Sequence, residues 1–328
     1  MPEPVRIKAL LAKVESTYGT DATPSAGSDE IQVVDNLWTN ITVDHLQDNL
    51  LESFGPGFGR PGGQSVQSTG QFANFTVTVP LKGAGSAYGS STTPESDVLL
   101  RASGLNQNVD DSAGSEKVNY TPQESGFESA SIYLYAGNKE FQLVGCFATC
   151  RLMFNPGEIP QAEFDVTGLV SAINEASKPG SLSYSSSGVA PPTVTSAGFT
   201  VDGFDPDDFQ SIEVDFGTEI AERPGGNASD GHAGYWISNI LPTVSADYEV
   251  ADLSSHDPYG LRNDGTEFSW DLGTLGGTQY NQIDVSGPAG RFTSVGHSEN
   301  NGLAQFQTEF QARNSGLTSQ DSVDLEFS

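Results

Sequence analysis

The feature that most limits the fold of this chain is a one-for-one alternation of apolar and polar residues. The alternation runs through residues 71–82 and recurs in 211–220 and 304–312. Successive side chains of a β-strand point to opposite faces, so the pattern predicts strands with one buried (dry) face and one solvent-exposed (wet) face. Further strands are predicted at 31–43, 160–167, 236–249, 267–272, 279–286, 290–297 and 322–327. Many short strands separated by Gly, Pro and Asn are typical of a mainly β fold, either a sandwich or a barrel.

Helical patterning is confined to two short stretches. Residues 94–103 begin with Pro94, which suits a helix start, and place Val98, Leu99 and Ala102 on one face. This predicts one α-helix that flanks the sheet. Residues Val5–Val14 also fit a helical period. The loops between elements are long, and loops of such length in a compact fold are usually functional.

The charge of the chain excludes several classes of partner. Its 328 residues contain 43 Asp and Glu against 14 Lys and Arg, a formal net charge of −29. Such a chain repels nucleic-acid phosphates and anionic membrane surfaces. Since no apolar run approaches the roughly 18 residues of a membrane-spanning helix, no membrane anchor is expected. Adaptation to a saline habitat would give the same acidic composition.

The two cysteines are predicted to be buried free thiols. Cys146 and Cys150 lie four residues apart in a predicted strand. That spacing separates them by about 13 Å, beyond the reach of a disulfide. Without a nearby histidine or second cysteine pair, they also make a poor zinc site.

A search for catalytic and metal-binding patterns finds little. The sequence lacks a nucleophile elbow, a zinc-protease motif and both common phosphate-binding glycine motifs. Its four histidines are scattered and are expected on the surface or in loops. The chain is therefore predicted to be neither an enzyme nor a cofactor-binding protein. The weak candidates for a cation site are Asp202, Asp205, Asp207 and Asp208. Their residue types suit calcium, but a solvated turn explains them equally.

Several stretches resemble the tail tube proteins of long-tailed, non-contractile bacteriophages. The resemblance covers residues 10–40, 93–107 and 120–170, and the last block carries a YTP…SGFES…IY pattern over a turn, a strand and a hairpin. A weaker likeness extends over 211–226, 236–249 and 322–328. The resemblance implies a β-sandwich-like domain with one flanking helix. It also implies that six copies form a ring and that rings stack into a hollow tube that conducts the viral DNA.

The resemblance also organises the chain. It implies a single tail-tube domain over 1–328 with an N-terminal arm at 1–30. The implied partners are further copies in a homo-hexamer, the tape measure protein, the tail terminator and the distal tail proteins. DNA would pass through without specific binding, and the protein would be assembled in the host cytoplasm and reside in the virion tail. A Ser/Gly/Pro-rich stretch at 176–198 is expected to connect two halves.

Two sets of residues are candidates for function in such a tube. An assembly loop at 55–64 combines glycines and prolines with apolar tips, a composition that fits contact with a neighbouring copy. Its candidate residues are Phe54, Gly55, Phe58, Gly59 and Arg60. The candidates for the lumen wall are the acids of two wet strand faces, Glu163, Asp165, Glu213, Asp215 and Glu219. The outer wall of the tube is the alternative position for these acids.

The strand predicted at 140–154 is apolar on both faces. Burial on both sides favours an oligomer. The alternative function is a β-sandwich carbohydrate- or cell-surface-binding module that uses Tyr235, Trp236 and Tyr259 as sugar platforms. A polysaccharide depolymerase is a third reading, but no catalytic motif supports it.

Overall fold

A computed structural model describes residues 8–34, 42–49, 66–228 and 232–328. The strands are β1 (Lys8–Val14), β2 (Glu30–Ile31), β3 (Thr42–Asn49), β4 (Val66–Pro80), β5 (Leu105–Asp110), β6 (Lys117–Pro122), β7 (Ala130–Ala136), β8 (Lys139–Phe154), β9 (Gln161–Glu175), β10 (Thr200–Val201), β11 (Phe209–Asp215), β12 (Thr218–Pro224), β13 (His232–Ile240), β14 (Thr243–Glu249), β15 (Phe268–Asp271), β16 (Ile283–Asn300), β17 (Leu303–Arg313) and β18 (Asp324–Phe327). The helices are α1 (Asp97–Ala102) and α2 (Pro258–Asp264). Neither helix is long and apolar enough to cross a membrane.

The fold is mainly β and of the sandwich type, which confirms the predicted class. The main sheet has the order β2-β1-β7-β8-β11-β14-β17-β16-β18-β6-β5, and all of its pairings are antiparallel. Strands β9, β4 and β3 branch from β8, and β15 and β10 branch from β16. Since β8 and β16 are long strands that change partners along their length, they join the two parts of the sheet around one hydrophobic core.

The period of two locates the strands well but not their ends. The strands predicted at 279–286 and 290–297 are one continuous strand, β16, and the strand predicted at 236–249 is divided into β13 and β14. The prediction of one strand over 211–220 is wrong, because the chain turns at Gly217. This glycine has φ +59°, and a Cβ there would lie 2.2 Å from the carbonyl oxygen of Leu241.

The predicted helix over Val5–Val14 is wrong where the chain is described, since residues 8–14 form β1. This strand pairs with β7 along its whole length and with β2 at Leu10 and Leu11. Its two faces contact different apolar clusters, with Leu10 in the main core and Leu11 in a smaller one. An apolar run buried on both sides does not show the period of two, which is why it imitates a helix.

The flanking helix predicted at 94–103 exists as α1, and it packs against β1, β5 and β8. Leu99, Leu100 and Ala102 are buried, whereas Val98 is only half-buried, which corrects the predicted face. The second helix, α2, lies outside both stretches with helical patterning. The sequence does carry signals of a helix start there, because Asp257 caps the first turn through the amide of Gly260 and Pro258 occupies the first position.

The two-sided burial of β8 arises within one chain and not from a neighbouring copy. Tyr18 stacks on Phe147 at 5.8 Å between ring centroids, and β12 and β13 contact β8 on the same side. Cys146 and Cys150 are buried free thiols in this strand, as predicted, and burial raises the pKa of both. The oligomer prediction therefore needs support other than the apolar faces of β8.

The Ser/Gly/Pro-rich stretch at 176–198 packs against the rest of the chain beside a buried ion pair. Lys82 Nζ lies 3.6 Å from Glu95 Oε2, and both side chains are 3% exposed. The amide of Ser186 donates to Glu95 Oε1 at 2.9 Å, and Val194 exchanges backbone hydrogen bonds with the 157–158 turn. These contacts tie the stretch to the segment just before α1 and to the turn between β8 and β9.

Candidate functional site

The strand register brings predicted acids from separate segments onto one sheet face. Across β9, β8, β11, β14 and β17, the residues directly opposite one another are Glu163, Arg151, Asp215, Thr243 and Gln311. The adjacent row on the same face runs through Gln161, Met153, Glu213, Ser245 and Glu309. Side chains two residues apart on a strand share a face, so these rows form one surface. We call it the acidic face; its charged residues on these five strands are Arg151, Glu163, Asp165, Glu213, Asp215, Asp247, Glu249, Glu309 and Arg313.

Arg151 is held by carboxylates at the centre of the acidic face. Its Nε lies 3.1 Å from Glu213 Oε1, and its Nη2 lies 3.7 Å from Asp215 Oδ2. All three side chains are more than a third exposed, so these contacts add little stability. Their effect is electrostatic, because an arginine engaged by two carboxylates is a weaker ligand for phosphate. The face is therefore acidic even around its central cation.

Glu219 belongs to a different element from the other predicted acids. The turn at Gly217 puts it on β12, opposite Asn239 of β13, in a two-stranded ribbon separate from the main sheet. The prediction that it shares a strand face with Glu213 and Asp215 is therefore wrong. It nevertheless lines a hollow of about 450 Å³ together with Glu163, Asp165 and Asp215. The ribbon folds back beside the acidic face and adds an acid to its edge.

Three acids of this face, Asp247, Glu249 and Glu309, were absent from the predicted set. Asp247 lies opposite Ser211 on β11 and Gln307 on β17, and Glu309 lies opposite Ser245. Burial raises the pKa of Asp247, and hydrogen bonds from Ser211 and Gln307 partly oppose this shift. The same alternation of apolar and polar residues in β14 and β17 was the signal that could have found them.

The four aspartates proposed for a cation do not converge. They lie in the loop that precedes β11, where Asp202 has φ +54° and Asp208 Oδ1 accepts a hydrogen bond from the amide of Phe209 at 2.8 Å. Within the described ranges, no group of three or more His, Cys, Asp or Glu side chains is arranged to hold a metal ion.

Two of the three aromatic residues considered for sugar binding have other contacts. Tyr259 packs on Phe306 and contacts His297 through its hydroxyl, and the amide of Tyr235 donates to the hydroxyl of Tyr18. Trp236 is 52% exposed. His256 lies in the loop before α2, in line with the expectation for the histidines, but it is buried.

His256 is 3% exposed and stacks on Phe204 at 4.7 Å. Its Nε2 lies 2.9 Å from the hydroxyl of Tyr248. Burial lowers its pKa, because the charged imidazolium loses hydration.

The assembly-loop candidates Phe54, Gly55, Phe58, Gly59 and Arg60 lie outside the described residues. The loop follows β3 and precedes β4, which pair with each other. Its role stays a prediction.

The comparison with known protein families gives one finding that bears on the whole chain. A family model described as "Phage tail tube protein" matches residues 6–312. No curated protein matches the chain. The matched region includes both helices, strands β1 to β16 and all but the last residue of β17. The chain therefore belongs to the phage tail tube protein family.

Proposed function

We propose that six copies of this chain form a ring, that rings stack into the hollow tail tube of a long-tailed, non-contractile phage, and that the acidic face lines its lumen. Membership of the family supports the structural role in the tail. The single observation that carries the lumen assignment is the register that joins the acids of β9, β8, β11, β14 and β17 into one surface. The whole chain acts as one tail-tube domain.

The charge of this surface suits a duct for DNA. Double-stranded DNA carries one negative charge per about 1.7 Å of axis, and proteins that bind it non-specifically do so through Lys and Arg. A wall of carboxylates gives no counterion release on contact with phosphates, so DNA slides without binding. A formal charge of −29 per chain also keeps free subunits apart in the host cytoplasm until assembly begins.

The remaining parts of the proposal follow from the same assembly. The tube encloses the tape measure protein before ejection, and the tail terminator and distal tail proteins close its ends. Residues 55–64 reach a neighbouring copy, and residues 1–30 form an arm, although β1 within this arm is paired in its own sheet. A carbohydrate-binding role is not favoured, since the family is a tube family and Tyr259 packs within its own chain.

The test is charge reversal on the acidic face. We expect Glu213→Lys/Asp215→Lys/Glu309→Lys to form tubes that bind linear DNA, and phage carrying it to eject DNA at least about tenfold more slowly. The reversal also releases Arg151 from its partners, which adds a cation to the wall. The matched control reverses three exposed acids elsewhere, Asp111, Glu124 and Asp264. Ejection at the normal rate by the first variant would show that this face does not line the channel.

A further inference from the structure

The acidic face ends in two rims that differ in charge and both expose apolar side chains. One end lies beyond Asp215 and Thr243, and there the turns 216–218 and 241–242 meet the loop 314–322. We call it the arginine rim; its residues are Leu241, Arg291, Arg313 and Leu317. The other end we call the aspartate rim; its residues are Asp207, Asp208, Val250, Leu253 and Leu303. The two rims lie at opposite ends of the same antiparallel strands.

The arginine rim presents a leucine on an ordered loop. Leu317 is fully exposed, yet the loop that carries it is closed by its own hydrogen bonds. Asn314 Oδ1 accepts from the amide of Ser322 at 2.9 Å, and Asp321 Oδ1 accepts from the amide of Ser315 at 2.9 Å. A loop ordered in this way loses little further backbone entropy on binding, and an exposed apolar group on it marks a contact site.

Two arginines lie near that leucine. A hollow of about 730 Å³ beside it is lined by Leu241, Arg291 and Arg313. Glu267 also lines the hollow and pairs with Arg313, and Arg291 adds a second positive charge. Asp321 lies on the same loop, so two arginines stand against two acids, and in a chain with 43 acids and 14 bases this rim is far less negative than the rest of the surface. Its arginines suit pairing with the carboxylates of another copy.

The aspartate rim has the complementary character. Val250, Leu253 and Leu303 are 40%, 57% and 58% exposed. Their loops lie side by side, because the amide of Val250 donates to the carbonyl of Ala304 and the amide of Glu249 donates to that of Asp208. Exposed carboxylates flank these apolar side chains, namely Asp207, Asp208, Asp252 and Glu299.

We propose that the arginine rim of one copy binds the aspartate rim of another, with Leu317 packed among Val250, Leu253 and Leu303 and the arginines facing the aspartates. Each copy then offers a different surface at each end of its strands. Such a head-to-tail contact leaves a free rim at both ends and can repeat without limit. The inference rests on the proposed function and assigns the surfaces that join successive layers of the tube.

Two variants test the contact, one on each rim. The arginine-rim variant is Leu317→Asp/Arg291→Glu, and the aspartate-rim variant is Leu253→Asn/Leu303→Asn, so the two altered rims do not complement each other. The three leucines are each more than half exposed, so both variants are expected to fold, with thermal unfolding midpoints close to the wild-type value. Arg223→Glu on β12 is the matched control for the charge change. Assembly is measured by light scattering and electron microscopy over a range of chain concentrations.

We expect each variant alone to need at least about a tenfold higher concentration than the wild type to elongate, and the control to behave like the wild type. Each variant keeps one intact rim, so mixing the two restores a single junction and gives stacks that stop at two layers. Variants that elongate normally, or a mixture that forms no junction, would overturn this inference while wild-type tubes still support the proposed function. A wild-type chain that never assembles would overturn both.

Discussion

At the scale of single residues, the least expected feature is a group of three carboxyl groups on neighbouring strands, centred on Asp284. Asp284 on β16 lies opposite Glu326 on β18, and Asp271 on β15 lies on its other side. Burial is the main cause that raises the pKa of Asp284 to about 7, and the neighbouring Asp271 adds to the shift. The sequence predicts strands at 267–272, 279–286 and 322–327, but it could not show that the fold brings these three acids together.

The shift predicts how stability depends on pH. A carboxyl whose pKa rises on folding binds its proton more tightly in the native state, so its contribution is complete at low pH and is lost as pH rises from about 4 to about 7. An asparagine side chain at this position would carry no charge at any pH. We therefore expect Asp284→Asn to be more stable than wild type at pH 8 by about 1–2 kcal/mol, discounted for partial exposure, and similar to it at pH 4.

Urea unfolding at pH 4 and pH 8 measures this difference, with the exposed Asp264→Asn as the control. If Asp284→Asn loses as much stability between the two pH values as the wild type does, the Asp284 carboxyl group does not control it.

At the scale of elements, the sequence predicted what each strand exposes better than where each strand stops. The alternation of 211–220 is interrupted only at Gly217 and Thr218, and the close approach of the Leu241 backbone leaves no room for a side chain at Gly217. That contact joins segments more than twenty residues apart, so no local pattern reveals it. The same limit applies to β1, whose burial on both faces depends on strands far along the chain.

The turn at Gly217 offers a test of how the β12–β13 ribbon is connected to β11. A Cβ on Gly217 would meet backbone, and its positive φ disfavours any other residue. We expect Gly217→Ala to lower the free energy of unfolding by about 2–4 kcal/mol. Gly226→Ala, where a Cβ meets nothing within 4 Å, should change it by less than about 0.5 kcal/mol. Equal effects of the two substitutions, measured by urea unfolding, would contradict this account of the turn.

At the scale of the whole molecule, the sequence predicted the fold class and the family, and four of the five predicted lumen acids lie on one face of the main sheet. The two apolar faces of β8 do not by themselves indicate an oligomer, because Tyr18 and the β12–β13 ribbon of the same chain already contact this strand. Patterns in a single chain show that a face is buried but not which molecule buries it.

The assembly loop yields a prediction at this scale. Deleting Gly55–Gly63 shortens the connection between two paired strands, a change that folds tolerate well. We expect a folded chain whose thermal unfolding midpoint is unchanged within a few degrees and which forms no tubes. Normal tubes from the deletion variant, seen by electron microscopy, would rule out an assembly role for this loop.

The proposed lumen position of the acidic face can be seen in a cryo-electron microscopy reconstruction of the assembled protein, since strand paths and the side chains of β8, β9, β11, β14 and β17 would be visible. We expect six copies per ring, with Glu213, Asp215 and Glu309 pointing into the channel. A tube in which these three side chains face the outer solvent would contradict it.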